Sequence, residues 1–169
     1  MHVLVVGFGG MGCRHAQSLL TNSKVEKLLV VEKDYDQYNK NLEKIGASEN
    51  SKVEYFEGLE KINEKIDFAV VATTASSRFE ITKKLIDHGV KKILLEKVVF
   101  QSKSQFDEII NLLKKKDVDV YCNFVNRYFK NYIDLKERLK KQPFAMIVNG
   151  GDFGLGCNGL HYIDLFEYF

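Results

Sequence analysis

A doubly wound α/β fold around a mostly parallel sheet is predicted for this 169-residue chain by three observations. Apolar runs alternate with amphipathic stretches over the first 122 residues, the sequence form of repeated β-α-β units. The first run, Val3-Leu4-Val5-Val6, passes directly into Gly7-Phe8-Gly9-Gly10-Met11-Gly12 and then into Arg14-His15-Ala16-Gln17-Ser18-Leu19-Leu20, so three spaced glycines stand between a strand and a helix. The second run, Lys27-Leu28-Leu29-Val30-Val31, closes on an acid, Glu32.

Taken in order, the strands are predicted near 2–6, 27–32, 53–56, 67–72, 92–96 and 118–122. The helices between them are predicted near 11–22, 34–46, 58–64, 77–88 and 103–115. Gly46 and Gly89 sit just past helical patterns, where a C-terminal cap belongs. Ser102 or Ser104 can cap the helix carrying Phe106, Ile109, Ile110 and Leu113 on one face. Cys13 is expected to pack in the first helix and Cys122 in a strand.

The glycine loop is a Rossmann-type dinucleotide fingerprint because of where it stands. Gly7 allows the tight strand-to-helix turn, Gly9 lets backbone N–H groups approach a pyrophosphate, and Gly12 lets the helix pack close to the sheet. Phe8, Gly10 and Met11 complete the loop that would face the phosphates at the positive end of the helix. Glu32 lies twenty residues past Gly12, where a carboxylate accepts from the two hydroxyls of a ribose. A carboxylate there repels a 2′-phosphate, so NAD is favoured as cofactor; Lys33 next to it keeps NADP possible, by offsetting that charge.

Composition narrows the partners. With 45% hydrophobic residues the chain is globular, and 25 basic against 23 acidic residues leave a net charge of +2, which does not point to nucleic acid. Lys114-Lys115-Lys116 and Lys140-Lys141 fall at predicted helix ends, where cations offset the helix dipole. No apolar stretch approaches the ~20 residues that span a bilayer, and no basic leader precedes the first strand, so a cytoplasmic protein without membrane partners is expected. Cys13, Cys122 and Cys157 form neither a disulfide framework nor a C-x-x-C pair, and the four histidines show no ligand spacing, so no metal is expected.

From about residue 123 the alternation stops. A helix near 130–141 precedes Phe144-Ala145-Met146-Ile147-Val148-Asn149, read as a strand outside the parallel series. A glycine-rich stretch, 150–156, then leads to His161-Tyr162-Ile163-Asp164-Leu165-Phe166-Glu167-Tyr168-Phe169, read as the first turns of an apolar helix. The expected organisation is therefore a dinucleotide-binding domain at 1–122 and, at 123–169, the beginning of a truncated C-terminal α+β domain.

Three further segments, together with the glycine loop, resemble the Gfo/Idh/MocA oxidoreductase family in the family's order. Asp67-Phe68-Ala69-Val70-Val71-Ala72-Thr73-Thr74 looks like its fourth strand, with Ala72, Thr73 and Thr74 in the loop beneath the adenosine and nicotinamide. Ile93-Leu94-Leu95-Glu96-Lys97 is similar to its Glu-Lys-Pro motif, which implies that Glu96 lines the nicotinamide pocket. The glycine-rich stretch ending at His161, with Asp164 one turn on, looks like the start of its active-site helix.

The resemblance implies an NAD(P)-dependent oxidoreductase acting on a sugar or sugar derivative, homo-oligomeric when full-length. Oxidising an alcohol passes a hydride to the nicotinamide while a base takes the hydroxyl proton. Lys97, partly desolvated beside a cationic ring, is the candidate base, and His161 the candidate proton shuttle, with Asp164 placed to orient its ring. Arg78 stands where the family commonly has a histidine and, with Arg127, is a candidate for contacting an anionic substrate; Asn158 can bind a hydroxyl. Cys157 stands where polyol-oxidising members often have an aspartate, and Val98 replaces the proline after Lys97, so a cis turn is not assumed there. A dinucleotide-binding module that performs no chemistry is the alternative reading, favoured by that missing aspartate and by the absence of the rest of the second domain.

Overall fold

The structure, a computed structural model, describes every residue except 141 and 153. Lys141, with the end of the predicted helix 130–141, and Phe153 of the glycine-rich stretch therefore lie outside the described residues. The chain forms two compact units, Met1–Cys122 and Asn123–Phe169.

In the first unit six strands, β1 (His2–Val6), β2 (Lys27–Val31), β3 (Val53–Phe56), β4 (Phe68–Val71), β5 (Lys92–Leu95) and β6 (Asp119–Cys122), form one sheet in the order β3-β2-β1-β4-β5-β6. Every pairing is parallel. Four helices return the chain: α1 (Gly10–Leu20), α2 (Tyr35–Lys44), α3 (Ala75–Asp87) and α4 (Lys103–Lys116).

The apolar runs are continuous because both faces of the sheet are covered. Pleating sends Val3 and Val5 toward α1 and α2, in a core with Phe8, Ala16, Tyr38 and Leu42. Leu4 and Val6 face α3 and α4, with Phe79, Leu85, Ile86 and Ile109. Strand order reverses between β1 and β4, and at such a switch point the carboxyl ends of the strands open a crevice.

Local signals are met in detail. Asp34 caps α2 by accepting from the Gln37 N–H, and Ser102 caps α4 by accepting from that of Gln105. Gly46 and Gly89 take φ of +67° and +92° just past α2 and α3. Cys13 is buried in α1 and Cys122 lies in β6.

Several expectations need correction. The helix predicted at 58–64 is a single 3-10 turn, Leu59–Lys61, because too few residues follow Gly58 to repay helix nucleation. Of the α4 face only Ile109 is buried; Phe106 instead meets Phe100 edge-on at 5.1 Å, and Ile110 stays exposed. The strand predicted at 144–149 has no regular structure: in the second unit no strand among the described residues offers a ladder to pair with. There α5 (Lys130–Leu139) precedes α6 (Leu155–Tyr168), which starts six residues before His161. Glycines at 156 and 159 argue locally against helix, yet Leu160 and the buried Leu165 anchor the segment and carry the helix back through them.

At the amino end of β2, Lys27 Nζ lies 2.5 Å from both Glu54 and Glu64, and His2 Nδ1 lies 2.7 Å from Glu64. The hydrogen bond from Lys27 holds the Glu64 carboxyl below its ordinary range, against a smaller opposing desolvation. A lowered folded value contributes stability above the unfolded carboxyl range and loses it as pH falls through the folded value. Lys27→Met is thus expected to lower the melting temperature at pH 7, with the gap to wild type closing as pH falls below the ordinary carboxyl range; thermal scans from neutral to acid pH check it.

Candidate functional site

The glycine loop divides into two kinds of position. A Cβ on Gly12 would lie 1.9 Å from the Gly7 carbonyl oxygen, and Gly7, at φ +85°, would place one 2.8 Å from Thr73 Cγ2. These two are glycine because the backbone of β1, the start of α1 and the loop after β4 meet there. Gly9 and Gly10 face open space instead: the nearest atom to a Cβ on Gly9 is Gln37 Nε2 at 3.8 Å, and nothing lies within 4 Å of one on Gly10. Gly9 is the N-cap of α1 and brings no side chain to its first N–H groups, so the open positive end of a helix lies beside an open loop.

Glu32 ties the loop to β2. Its Oε2 accepts from the Phe8 N–H at 2.7 Å, and its Oε1 accepts from the N–H groups of Lys33 at 2.8 Å and Asp34 at 3.2 Å. Gly7 N–H donates to the Val31 carbonyl at 2.8 Å, which keeps the turn in register with the strand ends. A cavity of about 700 Å³ opens over these groups. Gly7, Gly9, Glu32, Lys33, Ala72, Thr73 and Thr74 all line it, so the sheet brings together seven of the expected cofactor residues.

Its far wall was not foreseen. Ser77, Glu80, Ile81 and Lys84 line it from one face of α3, with Leu59 and Glu57 beyond β3 and Gln37 on α2. The i, i+3, i+4, i+7 spacing of the α3 residues was the available signal; nothing in it said which side of the sheet that face covers. The set suits a dinucleotide: an uncapped helix start for the phosphates, a carboxylate for a ribose, and apolar Val31, Leu59 and Ile81 as walls for a flat base.

Other expected site residues are placed differently. The Phe8 ring is wholly buried against Tyr38 at 5.5 Å and its N–H is committed to Glu32, so it is a core residue and does not face the cavity. Gly10 and Met11 are exposed at the helix start. Glu96, expected to line the nicotinamide pocket, is 4% exposed, and its Oε1 meets His15 Nε2 on α1 at 2.8 Å, a partner that no local pattern in the sequence marks. Lys97 is half-buried, and the Lys97–Val98 peptide is cis although residue 98 is not proline.

Arg78 is not a substrate contact. It is 2% exposed, and its guanidinium donates to the carbonyls of Thr73, Glu96 and Val98. Burial pulls it below the ordinary arginine range, while the charge of Glu96 acts in the opposite direction. Sequence alone left Arg78 looking like a free cation, because burial of an arginine is decided by distant carbonyls.

In the second unit Arg127, also expected at the substrate, is taken up by Asp164: Nε and Nη2 lie 2.7 and 2.6 Å from its two carboxylate oxygens. That hydrogen bonding holds the guanidinium above its ordinary range. The buried Asp164, taken up by the half-exposed Arg127, therefore does not orient His161, whose buried Nδ1 has no hydrogen-bond partner among the described residues. The His161 ring packs edge-on to Phe124 at 5.8 Å, and Asn158 is exposed on the first turns of α6.

Among the described residues no group of three or more His, Cys, Asp or Glu is arranged to hold a metal, and no helix is long and apolar enough to cross a membrane.

Fold and loop thus define a dinucleotide-binding protein of the Rossmann class. Residues 1–124 match the family model described as "Oxidoreductase family, NAD-binding Rossmann fold", and the chain belongs to that Gfo/Idh/MocA family, whose cofactor is NAD. Among solved structures it is similar to GenD2 of gentamicin A biosynthesis in complex with NAD, at 22% identity and a TM-score of 0.73 over 84% of this chain and 39% of that one. It is similar also to myo-inositol 2-dehydrogenase from Lactobacillus plantarum, at 18% and 0.76 over 99% and 56%. A third is UDP-N-acetylglucosamine 3-dehydrogenase from Acidithiobacillus ferrooxidans, at 17% and 0.67 over 82% and 41%. At such identities these likenesses concern the fold, and the chain spans about two fifths to just over half of each structure's length. A search of the curated proteins found no match.

Proposed function

We propose that this chain is the cofactor-binding part of an NAD-dependent oxidoreductase that moves a hydride between the nicotinamide and a hydroxyl or carbonyl carbon of a sugar or sugar derivative. The open glycine loop tied to Glu32 is the observation that carries it. Gly7, Gly9 and Gly10 with residues 72–74 would hold the phosphates and the inner half of the cofactor, and Glu32 the adenosine ribose. When bound, the nicotinamide supplies the hydride acceptor or donor. Lys97, half-buried past the end of β5, takes or returns the hydroxyl proton; within the second unit, His161 is the candidate proton shuttle and Asn158 the candidate hydroxyl contact. The names of the inositol and UDP-sugar dehydrogenases support this substrate class. Residues 123–169 are read as the start of the substrate and dimerisation domain, and the three free cysteines suit a reducing cytoplasm.

The test is a nicotinamide-fluorescence titration with NADH and NADPH. Saturable binding that favours NADH by about tenfold or more, ~1.4 kcal/mol, is expected, and binding of neither nucleotide would overturn the reading. In the full-length protein Lys97→Met is expected to lower turnover by about 10²–10⁴-fold, the usual contribution of a general base, with NADH affinity retained.

A further inference from the structure

The buried arginine of α3 stands in an arrangement that stability alone does not call for. One nitrogen, Nη1 of Arg78, donates to the carbonyl of Glu96 and to that of Val98, the residues on either side of Lys97. The other, Nη2, donates to the carbonyl of Thr73, which lies against Gly7 in the cofactor loop after β4. A single planar fork therefore joins two loops that leave the sheet side by side, β4 and β5 being neighbours. Its charge is answered by Glu96, itself held by His15 three residues past Gly12.

Burying a guanidinium is costly, and carbonyls at the ends of strands can be satisfied by ordinary backbone donors. Arginine offers what those cannot, several donors in fixed relative geometry. We propose that Arg78 is the positioning residue for Lys97: by holding residues 96 and 98 against Thr73 it sets where the Lys97 ammonium stands relative to the cofactor loop. This rests on the reading of Lys97 as the proton-handling residue. Neither Arg78 nor Glu96 touches the reacting groups in this scheme. Their work is to keep the backbone on both sides of Lys97 from relaxing outward, which also accounts for a part-buried His15–Glu96 pair so near the glycine loop.

Trace labelling with acetic anhydride, quantified for each lysine by mass spectrometry, tests this on the intact chain with and without NADH. Lys65 and Lys103, with side chains 88% and 86% exposed, serve as internal standards. In Arg78→Gln the labelling of Lys97 relative to the standards is expected to rise by about fivefold or more, since a side chain held half-buried reacts slowly until released; fivefold corresponds to ~1 kcal/mol. Arg78→Lys keeps the charge without the fork and should fall between the two. Unchanged relative labelling of Lys97 in a folded Arg78→Gln, or an equal rise at all lysines, overturns the proposal. Should Arg78→Gln fail to fold by circular dichroism, Arg78→Lys decides, and loss of fold in both assigns Arg78 to stability alone and overturns it too. The NADH arm is separate: failure of NADH to protect Lys97 in the wild type refutes the proposed place of Lys97 at the cofactor, while the nucleotide-free comparison still decides the role of Arg78.

Discussion

Gly12→Ala is expected to weaken NADH binding by about a hundredfold or more, some 2.7 kcal/mol, and to destabilise the fold by about 1–3 kcal/mol, the usual cost of overpacking. The reason is the partner its Cβ would meet. The Gly7 carbonyl oxygen, 1.9 Å away, is backbone at a positive-φ turn, and Gly7 in turn is boxed in by Thr73, so the contact cannot be relieved by turning a side chain. Relief requires α1 to move off the sheet, which swings its open N-terminal end away from the loop that shares the phosphates. Gly10→Ala is the control, because nothing stands within 4 Å of its Cβ. It should leave urea denaturation within about 0.5 kcal/mol of wild type. Comparable destabilisation by the two substitutions would show that the 1.9 Å approach is not what demands glycine at position 12.

The parts of this molecule legible in its sequence are those whose physics is local. Val3 to Val6 and Leu28 to Val31 read as doubly covered strands because a run of β-branched and aliphatic residues has few other uses, and both are buried throughout. Gly7, Gly12 and Glu32 were readable because turn, packing and acceptor chemistry each impose a residue type at a set offset. What could not be read depends on partners far along the chain. Arg78 and Arg127 look alike on paper, two cations near expected substrate positions, yet one is committed to three carbonyls and the other to a buried carboxylate. The apolar residues 144–149 have strand-like composition, but a strand exists only by pairing, and composition carries no information on whether a partner is within reach. His15 escaped notice for the same reason, since its meaning comes from Glu96, eighty-one residues later.

Glu32→Gln should reshape nucleotide preference more than any other single change. A carboxylate offers about four acceptor positions, and three are taken by the N–H groups of Phe8, Lys33 and Asp34, which leaves one, on Oε2, for a ribose hydroxyl. The sequence suggested an acceptor for both hydroxyls, whereas the geometry leaves room for one at full strength. Glutamine has the same shape but a single acceptor oxygen, so it must surrender either the turn after β2 or the bond to the glycine loop and ribose. NADH affinity is therefore expected to fall by about 10–100-fold, the range for a charge-assisted hydrogen bond. NADPH should move the other way, because the 2′-phosphate no longer meets a carboxylate and the exposed Lys33, at the rim of the same cavity, is left unopposed by it. Raising ionic strength separates the two effects. Attraction of the phosphate to an exposed lysine is screened beyond a Debye length of about 10 Å at 0.1 M salt, whereas a lost short hydrogen bond is not. The NADPH gain should thus fade with added salt while the NADH loss persists. A ratio of NADPH to NADH affinity that does not change in Glu32→Gln would mean that the adenosine ribose is not bound at this carboxylate, and the orientation of the nucleotide in the cavity would have to be redrawn with the ribose near Glu57, Glu60 or Glu80, the other carboxylates that line it.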